Sequence, residues 1–213
     1  MRWFVQSYPA LTRDVCVRAC VRVCVRVCVC VCVCVCVRVP CIQLIVKHGL
    51  KLSNLAMTPE LDIAIDGADE VDAELNCIKG GGGCHVQEKT VASCAKRFVV
   101  VADYRKQARK LGQQWKRGVP IEVLPFAYVP IMKKIEQLGG KPVLRMAKSK
   151  AGPCVSDNGN FIIDADFGVV DNPAVLNAAL IELVGVVDTG LFVGMAEKAY
   201  FGQADGSVVE WTK

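Results

Sequence analysis

The sequence predicts an α/β chain in two domains, a parallel-sheet domain carrying a smaller inserted α+β domain. Three observations predict it. Residues 61–66 and 98–102 are short apolar runs of the kind that form buried parallel strands. Between them lie four consecutive glycines, Gly80 to Gly83, and a stretch at 86–96 that places Val91, Cys94 and Ala95 on one face of a helix. From Ile121 onward the order becomes strand, helix, strand, strand, helix, strand, which is the ferredoxin-like arrangement. The expected organisation is therefore a Rossmann-like domain over 43–123 and 197–213, with a ferredoxin-like insert over 124–196.

The first 42 residues stand apart. Nine of the thirteen cysteines lie in 1–41, and an unbroken Val-Cys alternation runs from Val27 to Val37. This concentration accounts for much of the mean hydropathy of +0.34. The apolar run is roughly half the ~20 residues a membrane helix needs. Basic residues spread along it, with no small-residue cleavage site after it, fit a secretory signal poorly. Strict Cys-x-Cys repetition is not the pair spacing of a zinc site. Alternating TGT and GTG codons are what a run of TG dinucleotides gives, and one base change turns TGT into an arginine codon. Residues from about 14 to 39 are therefore read as translated simple repeat, non-native to the fold or disordered, with an aggregation-prone composition.

Charge divides at the same place. Of 26 Lys and Arg and 21 Asp and Glu, six arginines and one acid, Asp14, lie in 1–41, so the body carries twenty of each. A neutral body argues against nucleic acid or an anionic membrane as partner.

The remaining elements follow in order. Strand 61–66 ends at Gly67, and strand 98–102 closes the βαβ unit. A strand is expected at 121–124, then a helix opened by Pro130 and stopped by Gly139. Strand 142–146 precedes the turn chemistry of Asp157-Asn158-Gly159-Asn160, which leads into strand 161–165. Pro173 opens a helix to about 183, and 186–193 reads as one strand. The tail, 199–202 and 207–211 around Asp205-Gly206, reads as a hairpin returning to the first domain.

Three features within this frame carry chemistry. Asp66-Gly67-Ala68-Asp69-Glu70 follows a buried strand, and open α/β sheets bind ligands beyond the carboxyl ends of their strands. Its aspartates can hold hydroxyls or move a proton, or else cap a turn. Lys79 precedes Gly80, Gly81, Gly82 and Gly83, an arrangement able to aim backbone N–H groups and one cation at an anion; the alternative, a flexible linker, is disfavoured for four glycines between a strand and a helix. The P-loop spacing is absent. Glu88 sits early in a helix, where most carboxylates only complement the macrodipole; the same environment favours the ionised form, which suits a general base. His85, a lone loop histidine, is expected to be solvated; His48 and the four body cysteines have no ligand spacing, so no metal is expected. A carboxylate base, a lysine and paired aspartates suit proton transfer beside a carbonyl without a cofactor.

The blocks DGADEVD (66–72), IKGGGG (78–83), QEK (87–89), FVVVAD (98–103), PIEVLPFAY (120–128), LRMA with AGP (144–153), SDNGNFIIDADF (156–167) and GVVDTGLFVGMAE (185–197) resemble successive segments of ribose-5-phosphate isomerase A of the eukaryotic type. The resemblance covers about 43–213. It implies interconversion of D-ribose 5-phosphate and D-ribulose 5-phosphate in the non-oxidative pentose phosphate pathway by a metal-free cytoplasmic homodimer or homotetramer. By position, Glu88 matches the proton acceptor, and Asp66 and Asp69, with Gly67 and Ala68, match the loop that contacts hydroxyls and assists ring opening. Lys79, Gly80, Gly81 and Gly82 match the next substrate segment, and Lys106 a further substrate-contacting lysine. The family's opening helix, strand and Gly-Thr-Gly-Ser-Thr phosphate loop, and the further strand and serine-rich loop that follow, have no counterpart before Gln43. The first domain is thus expected to lack two strands and the helix joining them, leaving large side chains in water at ~1.5–3 kcal/mol each. That expectation leaves a crippled isomerase, a non-catalytic sugar-phosphate binder and a mis-spliced product as rivals to an active enzyme. The regulator is disfavoured by the lack of a basic helix-turn-helix pattern and the presence of Glu88, Lys79 and both aspartates.

Overall fold

In the computed structural model, residues 2–5, 33–35 and 39–213 are described. They fall into two compact units: 1–67 with 87–102 and 195–213, and 68–86 with 103–194.

The first unit is built on a seven-stranded sheet. Its strands are β1 (Arg2–Val5), β2 (Val33–Val35), β3 (Lys51–Ser53), β4 (Ile63–Asp66), β7 (Phe98–Asp103), β13 (Lys198–Gly202) and β14 (Val208–Thr212), in the order β14-β13-β7-β4-β1-β2-β3. The pairs β4–β7, β4–β1, β1–β2 and β2–β3 are parallel, while β13–β14 is an antiparallel hairpin. Helices α1 (Val39–Lys47) and α2 (His85–Ser93) accompany it. Ala64, Phe98 and Val100 are buried, as an apolar parallel strand requires, and Phe201 of the hairpin is buried as well. The Phe201 and Trp211 rings meet edge to face at 4.7 Å across the hairpin.

One expectation is corrected here. The sheet does not lack two strands: Trp3 pairs with Ile63, and Cys34 pairs with both Trp3 and Leu52. A Val-Cys-Val triplet is β-branched and extended by preference, so it can fill a central parallel position. The rest of the repeat reading, and the missing phosphate loop, concern 6–32 and 36–38, which lie outside the described residues.

The second unit holds two sheets. The larger is β11-β8-β10-β9, all antiparallel, from β8 (Val119–Val123), β9 (Lys141–Leu144), β10 (Phe161–Asp166) and β11 (Val186–Thr189). With α3 (Tyr128–Gln137) and α4 (Pro173–Ile181) this is the expected βαββαβ order. Its core comprises Ile121, Val123, Ile131, Ile135, Ile163 and Leu180 with their neighbours. Asn172 caps α4, accepting from Val175 N–H at 3.1 Å ahead of Pro173. The α3 helix begins two residues before Pro130, after a 3-10 turn at Pro125–Ala127.

The smaller sheet, β12-β6-β5, consists of two-residue strands: β5 (Glu70–Val71), β6 (Cys77–Ile78) and β12 (Leu191–Phe192). The single strand expected over 186–193 is therefore two strands in different sheets. They part at Gly190, whose N–H donates to Pro120 O at 2.6 Å and whose carbonyl accepts from Lys79 N–H at 2.8 Å. A Cβ at Gly190 would lie 2.2 Å from Lys79 O, so only glycine permits this approach.

Candidate active site

Asp66 closes β4 at its carboxyl end, the edge at which parallel sheets bind ligands. The carboxylate is buried, and its Oδ1 accepts from Gly67 N–H at 2.7 Å. Glu88, the acidic residue in the first turn of α2, is buried at 2% exposure. The helix N-terminus points its backbone N–H groups and the positive end of its dipole toward this carboxylate. Both residues belong to the first unit.

Gly67 ends the segment of the first unit that carries Asp66, and the second unit holds the remaining site residues. Asp69 leads into β5, its N–H bonded to Ile78 O at 2.8 Å, and Gly67 and Ala68 precede it as buried backbone. The chain then turns back through Asp72, whose carboxylate accepts from the amides of Glu74 and Asn76 and from Asn76 Nδ2. That is the turn chemistry weighed as the alternative for Asp66 and Asp69, found here at Asp72. Asp69 differs: its Oδ2 accepts from Gly81 N–H at 2.7 Å, twelve residues on.

Lys79 follows β6 and is fully buried, with Nζ 5.3 Å from the Phe192 ring centroid. The glycines behind it form a turn closed by Gly83 N–H donating to Gly80 O at 2.9 Å. Gly80 has φ +97°, and a Cβ there would sit 2.7 Å from His85 Nδ1. His85 is thus not solvated, as expected from the sequence, but buried as the first residue of α2. The absence of a side chain on Gly80 is what makes room for its ring.

Lys106 ends a 3-10 turn, Tyr104–Lys106, capped by Asp103 through Arg105 N–H at 2.9 Å. The Arg105 side chain and amide hold the Asp103 carboxyl below the ordinary range. Lys106 Nζ stands 5.4 Å from the centroid of Trp115, and the indole in turn faces Gly81, where a Cβ would lie 2.7 Å from Trp115 Cη2 and 2.8 Å from either Asp69 oxygen. Asp69, Gly81, Trp115 and Lys106 therefore form one cluster, with Lys79 and Gly82 on the same loop.

Four members of this region were given no role of their own in the sequence reading. Trp115 is fixed by Nε1–H donating to Gly118 O at 2.8 Å. Glu70 is fully buried and accepts from the amides of Gly112 and Gln114 at 2.6 Å each, which sets the loop that carries Trp115. Arg145 reaches from beyond β9 to the Gly80 carbonyl, and Asp164 on β10 pairs with it. An arginine and an aspartate inside apolar strand sequences were the available signals. Among the described residues no group of three His, Cys, Asp or Glu side chains could hold a metal ion.

Burying carboxylates and an ammonium is costly unless they are bonded, and such groups gather where chemistry is done. Buried carboxylates, a buried lysine and a glycine loop define a class: an α/β protein with a polar cluster held inside its core. Residues 33–206 match the model of the family described as ribose 5-phosphate isomerase A (phosphoriboisomerase A). The match begins ahead of Gln43 and takes in β2. Ribose-5-phosphate isomerase of Sus scrofa is 59% identical over 167 residues, which are 78% of this chain and 55% of that protein. Ribose 5-phosphate isomerase A from Methanocaldococcus jannaschii is similar in structure, with TM-score 0.88, 33% identity, and 100% of this chain and 91% of that one covered. A D-ribose-5-phosphate isomerase in complex with phospho-erythronic acid gives TM-score 0.91 at 33% identity, with the same coverage. The chain belongs to the ribose 5-phosphate isomerase A family. It spans about half the length of the mammalian relatives it matches.

Proposed function

We propose that the chain interconverts D-ribose 5-phosphate and D-ribulose 5-phosphate through an enediolate. In the open-chain aldose Glu88 takes the proton from C2. The released electron pair forms the C1–C2 double bond, and negative charge moves onto O1. Return of that proton to C1, with transfer of the O2 hydroxyl proton to O1, gives the ketose. Lys79 stabilises the enediolate oxygen, a task for which a buried ammonium is far stronger than a solvated one. Asp66 and Asp69 hold hydroxyls and assist ring opening. Gly67, Ala68, Gly80, Gly81 and Gly82 supply close backbone contacts, and Lys106 a further cation. No metal or cofactor takes part. The protein acts in the non-oxidative pentose phosphate pathway, in the cytoplasm, as a homodimer or homotetramer.

The observation that carries this reading is the Asp69 carboxylate bonded to Gly81 N–H, on the loop that also bears buried Lys79. Support comes from family membership and from the phosphorylated sugar acid held by a structurally similar isomerase. The test is formation of ribulose 5-phosphate from ribose 5-phosphate by the purified chain, with Glu88→Ala as control. Turnover that survives Glu88→Ala would overturn the assignment.

One observation favours a second reading, a weakened or inactive isomerase. Residues 1–48 contain no glycine, the residue on which the Gly-Thr-Gly-Ser-Thr segment depends. Charge-assisted hydrogen bonds to phosphate are worth ~1.5–3 kcal/mol each, so their loss raises KM by orders of magnitude. Inactivity cured by replacing the residues before Gln43 with a family-like segment would favour this reading.

A further inference from the structure

The Gly80–Gly81 peptide is held at both of its polar ends within the second unit. Its carbonyl accepts from Arg145 Nη1 at 2.9 Å and from Gly83 N–H at 2.9 Å, while its N–H donates to Asp69 Oδ2 at 2.7 Å. A trans peptide is planar, with C=O and N–H pointing opposite ways, so whatever fixes the carbonyl also aims the amide. Local sequence does not fix it. Gly80, at φ +97°, and Gly81 have no Cβ to restrict rotation of that plane.

Arg145 can supply the missing constraint because it is itself immobilised. Its Nε donates to Asp164 Oδ2 at 2.8 Å, and its Nη2 pairs with Asp164 Oδ1. Its own backbone N–H donates to Ile162 O at 2.8 Å. The pair is nearly buried, at 9% and 14% side-chain exposure. A guanidinium gripped as a fork by a carboxylate has one remaining edge in a fixed direction. Here that edge meets Gly80 O.

We infer that Arg145 is a positioning residue for Asp69, acting through the Gly80–Gly81 peptide, and that Asp164 holds it in that role. The inference rests on the reading that Asp69 contacts substrate. A simple ion pair would need only the Asp164 fork; the third donor, aimed 65 residues back at a glycine carbonyl, sets this pair apart.

The test compares wild type with Arg145→Met, Arg145→Lys and Asp164→Asn. It measures amide exchange at Gly81 by NMR, together with steady-state kinetics at a temperature where each variant is folded. In Arg145→Met, Gly81 exchange should rise about tenfold or more, as loss of an ordered hydrogen bond implies, while β8 amides keep their protection. The kcat should fall about 10- to 100-fold with KM little changed, the signature of a misplaced group. Arg145→Lys, which keeps one donor for Gly80 O, should recover part of both losses, and Asp164→Asn should reproduce them in milder form. Unchanged Gly81 exchange in Arg145→Met, or a kcat that follows only the folded fraction, would overturn the inference. Wild-type turnover in Asp69→Asn would instead overturn the role of Asp69, and the exchange readout alone would then decide whether Arg145 sets the loop.

Discussion

Glu122 Oε1 accepts a hydrogen bond from Ser156 Oγ at 2.8 Å, and the same oxygen takes Asn158 Nδ2 and Asn160 Nδ2 at 2.9 Å each. One fully buried carboxylate on β8 thus organises the turn that leads into β10. Removing it leaves several donors without their acceptor. Glu122→Ala should cost about 1–3 kcal/mol of unfolding free energy, and Glu122→Gln less, since the amide oxygen still accepts. Denaturant melts of the three proteins check this; equal midpoints would contradict it.

Gly81 marks a point where space is fully used. A methyl there would stand 2.7–2.8 Å from the Trp115 ring and the Asp69 carboxylate. Gly81→Ala should therefore displace Asp69 or the indole and lower kcat/KM by about 10²-fold, as a displacement near 1 Å does. The chain should still fold, because the clash is with side chains. Loss of turnover with an intact melt is the expected pairing.

Glu88 should affect turnover rather than binding. General-base removal typically costs about 10²–10⁴ in rate. Glu88→Gln is expected to lower kcat by that range and leave KM within a few-fold, as read from initial rates. A large rise in KM at constant kcat would mark Glu88 as a binding group instead.

The Arg97–Glu197 pair gives a pH dependence whose sign is fixed. Arg97 Nε donates to Glu197 Oε2 at 2.8 Å, and this hydrogen bond, followed by the Arg97 charge, holds the Glu197 carboxyl below its ordinary 4.5. A depressed carboxylate stabilises the folded chain above its unfolded value and ceases to do so as pH falls through the folded one. The pair is exposed, so the effect is small. Wild type should melt slightly above Glu197→Gln near pH 7, and the gap should close on acidification below pH 4.5. A gap that widens toward acid would reverse the assignment.

Much of this arrangement was legible in the sequence because it is local. The βαβ order around Gly80–Gly83 and the strand–helix alternation after β8 follow from periodicity and from Pro130, Gly139 and Pro173. Glu88 and Asp66 could be placed at a helix start and a strand end for the same reason. The break at Gly190 was signalled only by Asp188-Thr189-Gly190 between two apolar pairs, and what divides the run is the approach of Lys79 from beyond β6. Strands β5 and β6 are too short for any period to show. The burial of His85 depends on the missing side chain at Gly80, and the roles of Arg145 and Trp115 depend on partners 65 and 34 residues away. These are facts of tertiary contact, invisible to any local window.

Strand β2 is drawn from a sequence that repeats itself. Val33–Val35 pairs with β1 and β3, yet the stretch Val27 to Val37 offers four further Val-Cys-Val triplets of identical content. A slip of two residues presents the same side chains to the same faces. Gain or loss of one Val-Cys pair in the repeat would therefore leave a competent strand in place. The strand is thus specified by the repeat unit rather than by any one copy of it.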